Sequence, residues 1–131
     1  MKREPVFLTL AEIIEIHDYQ IGHFGGTDGI RSMDLLKSAV GMPPSAFGGI
    51  YLHPTVPDMA AAYLFHIVED HPFLDGNKRV GTMSALVFLE LNGYDFDASD
   101  KELVDVVLHV AGGKMGKDTL SQFFRQYSRR K

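Results

Sequence analysis

The stretch His71-Pro72-Phe73-Leu74-Asp75-Gly76-Asn77-Lys78-Arg79, followed at once by Val80-Gly81-Thr82-Met83-Ser84-Ala85-Leu86-Val87-Phe88-Leu89, decides how this chain reads. Its second half is apolar almost all round, which predicts a central helix wrapped by its neighbours, running to about Leu91 and ended by Asn92-Gly93. Its first half sets a proton acceptor, a carboxylate, a glycine, an amide and two cations directly before that helix. This order builds a phosphate site: backbone N–H groups at a helix start, cationic side chains beside them, and a carboxylate to hold Mg²⁺. A histidine a few residues upstream can take a proton from a hydroxyl attacking the phosphate. Phosphoryl transfer depends mostly on positioning and charge stabilisation, and a motif on a wrapped helix is rigidly placed.

Outward from this stretch the chain is nearly all helical. Thr9 with Glu12, Thr55 with Asp58 and Ser99 with Glu102 have capping-box spacing and predict three helix starts. The first helix carries Leu10, Ile13, Ile14, His17 and Ile21, and Gly22, Gly25 and Gly26 stop it and open a loop through Gly29. A second is expected from about Ser32 to Val40, with Met33, Leu36 and Val40 inward and Pro43-Pro44 closing it. The segment Ala46–His53 is too rich in glycine for a helix and reads as a short hairpin or flap. Met59, Tyr63, Leu64, Ile67 and Val68 follow Thr55 at helical spacing, and Leu103, Val106, Val107 and Val110 follow Ser99. Gly112-Gly113 and Gly116 break that helix, and Asp118 starts a last one with Leu120, Phe123, Phe124 and Tyr127. The expected fold is all-α, a bundle of five to six helices in one domain, residues 1–131, with minor β structure.

Composition sets limits. The chain has 131 residues, 45% hydrophobic, which suffices for a real core. The absence of cysteine excludes disulfides, thiolate chemistry and Cys-ligated zinc. A net charge of −4 argues against nucleic-acid binding through a broad basic face, and Arg125, Arg129, Arg130 and Lys131 read as a solvated helix end. No apolar stretch reaches membrane-spanning length, and Met1-Lys2-Arg3-Glu4-Pro5 lacks a signal-peptide core, so a cytoplasmic protein is expected. Two groupings suggest metal binding. His66, Glu69, Asp70 and His71 have a spacing one residue longer than the inverzincin motif, with no third ligand in view. His17-Asp18 resembles a phosphohydrolase pair, but adjacent residues point to different helix faces and companion ligands are missing, so a structural pair is expected.

The motif matches the signature of the Fic superfamily, whose members move part of a nucleotide onto a protein hydroxyl. The chain is most similar to its death-on-curing (Doc) branch, toxins of type II toxin–antitoxin pairs. Lys78 stands where the larger AMP-transferring branch has glycine, and Thr82 stands where that branch has a second arginine. His17-Asp18, Phe24-Gly25-Gly26, Gly29-Ile30 and Leu89-Glu90-Leu91-Asn92-Gly93-Tyr94 are similar to further Doc segments. The founding member has alanine where this chain has Gly76. The resemblance implies the Fic/Doc fold and these roles: His71 as general base, Asp75 as the Mg²⁺ ligand, and Gly76, Asn77, Lys78 and Arg79 on the phosphates of ATP. In Doc proteins the lysine is thought to reverse ATP, with the γ-phosphate towards the histidine, which implies a kinase-like phosphotransferase whose target is translation elongation factor Tu. An AMP transferase that tolerates lysine and a catalytically silent helix-binding regulator are the alternatives. Phe73 is expected to anchor the loop and Pro72 to stiffen it. Phe47, Gly48, Gly49 and Tyr51 fit the Fic flap, an edge that docks an extended target segment by β-augmentation. No inhibitory Ser/Thr-x-x-x-Glu-Gly/Asn sequence is present, so restraint is expected from a separate antitoxin whose C-terminal segment folds into a helix in a groove beside the site.

Overall fold

In the computed structural model, which describes residues 4–131, six helices follow one another: α1 (Leu10–Phe24), α2 (Met33–Gly41), α3 (Val56–Asp70), α4 (Asn77–Leu91), α5 (Asp100–Ala111) and α6 (Lys117–Tyr127). Four short strands accompany them, β1 (Ala46–Phe47), β2 (Ile50–Tyr51), β3 (Tyr94–Phe96) and β4 (Ser128–Arg130). The fold is all-α with a minor β flap. Thr9, Thr55 and Ser99 form reciprocal capping boxes with Glu12, Asp58 and Glu102, so α1, α3 and α5 begin where the spacing predicts. α1 continues through Gly22 and stops at Gly25, whose φ of 83° is open to glycine at little cost.

The wrapped helix is α3 rather than α4. Nearly every residue of α3 from Pro57 to Val68 is buried, including Ala60, Ala61, Ala62, Tyr63, Leu64 and Ile67. α4 buries Val80, Ala85, Phe88 and Leu89 against it but leaves Met83 and Leu91 exposed. The two share the most extensive packing in the molecule. Gly81 makes this possible: a Cβ there would stand 3.1 Å from Val68 Cγ2 and 3.2 Å from the Leu64 carbonyl. Leu36 and Ala39 of α2 pack inward, whereas Met33 is exposed.

The C-terminus departs from its expected form. Residues 128–130 are a strand, not a solvated helix end, pairing antiparallel with β3 in the register Tyr94↔Arg130, Asp95↔Arg129, Phe96↔Ser128. Lys131 Nζ lies 2.6 Å from Glu90 Oε1, and Arg129 Nε lies 3.9 Å from Asp97 Oδ2, so the tail's cations meet carboxylates around β3. β1 and β2 form the expected hairpin, with Ala46 opposite Tyr51 and Phe47 opposite Ile50. Gly48 and Gly49, at φ 58° and 79°, supply the two left-handed positions that a tight two-residue turn requires. Phe47 is 87% exposed, while Tyr51 turns back, donating its hydroxyl to Glu4 and packing its ring 5.9 Å from Phe7. Among the described residues, no helix is long and apolar enough to cross a membrane.

Candidate active site

The motif occupies the turn between the end of α3 and the start of α4. His71 caps α3 in the left-handed conformation, φ 48° and ψ 55°, and it is the one non-glycine residue with positive φ among those described. Its ring is exposed, and Arg31 fixes the backbone beneath it by donating Nε to the His71 carbonyl (2.6 Å) and Nη2 to the Asp70 carbonyl (2.8 Å). The Pro72 carbonyl accepts the N–H groups of Arg31 and Ser32 at 2.7 and 3.1 Å, and Leu74 N–H donates to the Gly29 carbonyl. The motif loop is therefore laced, main chain to main chain, to the segment before α2. Phe73 is buried, as expected of an anchor, and stacks face to face on His17 with centroids 4.0 Å apart.

Asn77 closes the loop on itself. Its Oδ1 accepts the Phe73 N–H and its Nδ2 donates to the Phe73 carbonyl, both at 3.0 Å. The side chain thus braces the loop, and one N–H of its amide takes no part in that bracing. α4 has no side-chain cap, because Gly76 (φ 80°) occupies the N-cap position. The first-turn N–H groups of a helix have no partner within it, so an uncapped start presents them and the positive end of its dipole to an anion.

Asp75 sits at this opening. Its Oδ2 accepts the Thr27 N–H at 3.0 Å and its Oδ1 the Gly76 N–H at 2.8 Å. These two bonds, the Thr27 bond foremost, hold its carboxyl below the usual carboxylate range, and the charges of Arg79 and Lys78 add to the effect. Each oxygen keeps a lone pair, and the group is exposed, which suits a hard cation such as Mg²⁺. Arg79 donates Nη2 to the Gly25 carbonyl at 2.9 Å, clamping the glycine loop over the motif. Lys78 is exposed, and its carbonyl accepts the Thr82 hydroxyl at 2.8 Å. Both cations border a cleft of about 340 Å³ lined further by Thr82, Met83, Val104 and Leu108.

The two groupings that suggested metal binding sit in different surroundings. His66 Nε2 lies 3.1 Å from Lys117 Nζ, which also lies 3.0 Å from His53 Nε2, so an ammonium occupies the space that a zinc ligand set would need. His17 Nε2 donates to the Asp75 carbonyl at 3.0 Å. The companion ligand absent from the local sequence comes from Asp28, whose carboxylate converges with His17 and Asp18.

The model of the Fic/DOC family matches residues 7–89, a span that runs from before α1 through the motif into the last turn of α4. The chain belongs to the Fic/DOC family. It is 34% identical over 102 residues to "Toxin Doc" of Mycolicibacterium smegmatis, which covers 75% of this chain and 77% of that protein. It is 29% identical over 119 residues to "Protein kinase doc" of Escherichia phage P1, covering 88% and 90% of the two. Within this Fic/DOC chain, sequence reasoning missed Arg31, Thr27 and the Gly25 carbonyl, all in the loop after α1. Only the closely spaced glycines, which let a backbone approach, hinted at them.

Proposed function

We propose that this chain is the toxin of a toxin–antitoxin pair, a phosphotransferase that moves the γ-phosphate of ATP to a protein hydroxyl, with translation elongation factor Tu as the substrate. The observation that carries this reading is Lys78 beside Asp75 at an uncapped helix start, since in the Doc branch this lysine goes with a γ-phosphate turned towards the histidine. His71 takes the proton of the attacking hydroxyl as its oxygen bonds to the γ-phosphorus and the bridging bond to ADP breaks. Arg79, the free N–H of Asn77 and the first-turn N–H groups of α4 hold phosphate oxygens and meet the charge that builds on them. Lys78 adds a point charge and fills the space that the opposite nucleotide orientation would use. Asp75 would hold Mg²⁺, which supplies charge neutralisation across the nucleotide phosphates. Phe47, Gly48, Gly49 and Tyr51 offer a hairpin edge for an extended target segment.

Two adjoining apolar clefts beside α4 share Gln20 and Met83, and we assign them to the helix of an antitoxin. ATP labelled at the γ-position, incubated with Mg²⁺ and elongation factor Tu, should label the factor, and His71→Ala should abolish it. Label transferred from the α-position instead would replace this reaction with AMP transfer. Growth arrest that survives His71→Ala and Asp75→Ala, with no label transferred, would replace it with a binding role.

A further inference from the structure

His17 is a buried imidazole whose two nitrogens meet different surroundings. The residue is 1% exposed, and its ring is stacked on Phe73 at an interplanar angle of 6°, and so fixed in plane. Its Nε2 lies 3.0 Å from the Asp75 carbonyl oxygen, which can only accept. In the neutral ring Nε2 therefore carries the hydrogen and Nδ1 the lone pair. That lone pair has no hydrogen-bond donor. Asp28 Oδ1 lies 3.8 Å from it, beyond hydrogen-bond reach and itself an acceptor. One ligand atom each from His17, Asp18 and Asp28 lie within 4.8 Å of one another. The two carboxylates are exposed, so the feature that points to a bound cation is the buried Nδ1 beside them, which lacks a donor.

We infer that His17 Nδ1, Asp18 and Asp28 form a binding site for a divalent transition ion, separate from the motif carboxylate and requiring no nucleotide. The donor set, one imidazole and two carboxylates, suits Zn²⁺ better than the hard cations that take oxygen alone. The far side of the ring supports this. A metal-bound histidine characteristically donates its other N–H to a carbonyl or carboxylate, fixing tautomer and orientation, and His17 makes that bond to Asp75. The exposed Asp18 lies on α1, while Asp28, with a side chain 74% exposed, lies in the glycine loop. An ion would therefore tie that loop to α1. The same loop supplies the Thr27 N–H to Asp75 Oδ2, so the ion would stiffen the support of the motif carboxylate without touching it.

The test is a titration of the full chain with Zn²⁺ alone, followed in the ring carbon–proton correlations of its six histidines. The His17 signals should move with one equivalent of ion, and exchange of the Thr27 amide should slow at least tenfold. Asp28→Asn and Asp18→Asn, both at exposed positions, should each weaken binding at least tenfold while leaving the circular dichroism spectrum unchanged. Unmoved His17 signals at tenfold excess, or an unchanged affinity in the Asp18→Asn/Asp28→Asn double variant, would overturn the site. A ring found protonated on both nitrogens, held by the two carboxylates alone, would overturn it too. None of these readouts involves ATP or a target protein, so they stand apart from the proposed phosphotransfer.

Discussion

Replacing Gly26 by alanine should damage this protein far more than replacing Gly76, although both glycines border the same carboxylate. At Gly26 a Cβ would lie 2.7 Å from Asp75 Oδ2, 3.0 Å from Ile21 Cδ1 and 3.2 Å from Arg79 Nη2, where ordinary contact begins at 3.4 Å. Its φ of 119° is also one that L side chains rarely adopt. The backbone strain costs about 1–2 kcal/mol, and the overpacking about 1–3 kcal/mol more. At Gly76 the φ is 80°, but nothing lies nearer than 3.5 Å to the added carbon. Only the left-handed backbone is charged against alanine there, about 1 kcal/mol, partly offset by a less flexible unfolded chain. This accords with the alanine that the founding Doc protein carries at that position.

Urea unfolding should therefore put Gly26→Ala about 2–5 kcal/mol below the parent chain and Gly76→Ala within about 1 kcal/mol of it. The functional consequence is more specific than the loss of stability. Asp75 must move away from the new methyl group, which breaks the Thr27 N–H bond that most strongly holds its carboxyl acidic. Mg²⁺-dependent ATP binding, measured calorimetrically under conditions where both variants are folded, should fall at least tenfold in Gly26→Ala and little in Gly76→Ala. Equal urea midpoints and equal affinities for the two variants would refute the contact argument.

Three further outcomes are expected. Asn77→Ala strips the Phe73 N–H and carbonyl of their partners and should cost about 1–3 kcal/mol by denaturant titration, because both are partly buried. His71→Gly and His71→Ala should abolish transfer alike, yet the glycine variant should unfold about 1 kcal/mol later in the same titration, since φ 48° penalises any Cβ. Burial, reinforced by the charge of Lys117, holds the His66 pKa down to about 4 against an ordinary 6.5. The unfolded chain then binds the extra proton between these values, so stability falls as pH drops from about 6.5 to about 4 and levels off below. Stability measured across that window should decline less steeply in His66→Gln and in Lys117→Met than in the parent.

What could be read from the chain divides by the range of the interaction concerned. Capping boxes, turn glycines and the motif are local patterns, and Thr9, Thr55, Ser99, Gly48-Gly49 and His71–Arg79 all sit where their spacing implied. Burial was misjudged between α3 and α4, because an apolar run states only that a helix is able to be buried. The alanines of α3 and Gly81 of α4 decide which helix lies innermost, by letting the backbones approach. The pairing of β4 with β3 joins residues more than thirty positions apart, and Ser128-Arg129-Arg130 has no strand-like alternation to announce it. In the candidate site, the motif side chains could be read from the sequence, whereas the groups that hold them could not. Arg31 and Thr27 act through main-chain partners, and a backbone N–H or C=O leaves no mark in composition. Asp28 was hidden for a related reason: its convergence with His17 depends on the path of a glycine loop.

The arrangement explains why a six-residue turn can hold a reactive constellation without a large interior. The proposed base caps α3 and the proposed phosphate cradle opens α4, so their separation is set by how those two helices pack. That packing is fixed where Gly81 meets Val68 and Leu64, well inside the core, and little slack remains there. The turn between the helices is then braced from three directions, by Asn77 on Phe73, by Arg31 on Asp70 and His71, and by Thr27 on Asp75. The Asn77 brace lies within the turn and α4, whereas the Arg31 and Thr27 braces both come from the loop after α1, so the turn is held from two separate segments. The strained backbone at His71 persists for the same reason: the helix end, the Arg31 clamp and the Pro72 carbonyl together leave it no other conformation. The proposed positioning of the reacting groups thus rests on the packing of α3 against α4, the most extensive in the molecule, with the exposed motif at its end.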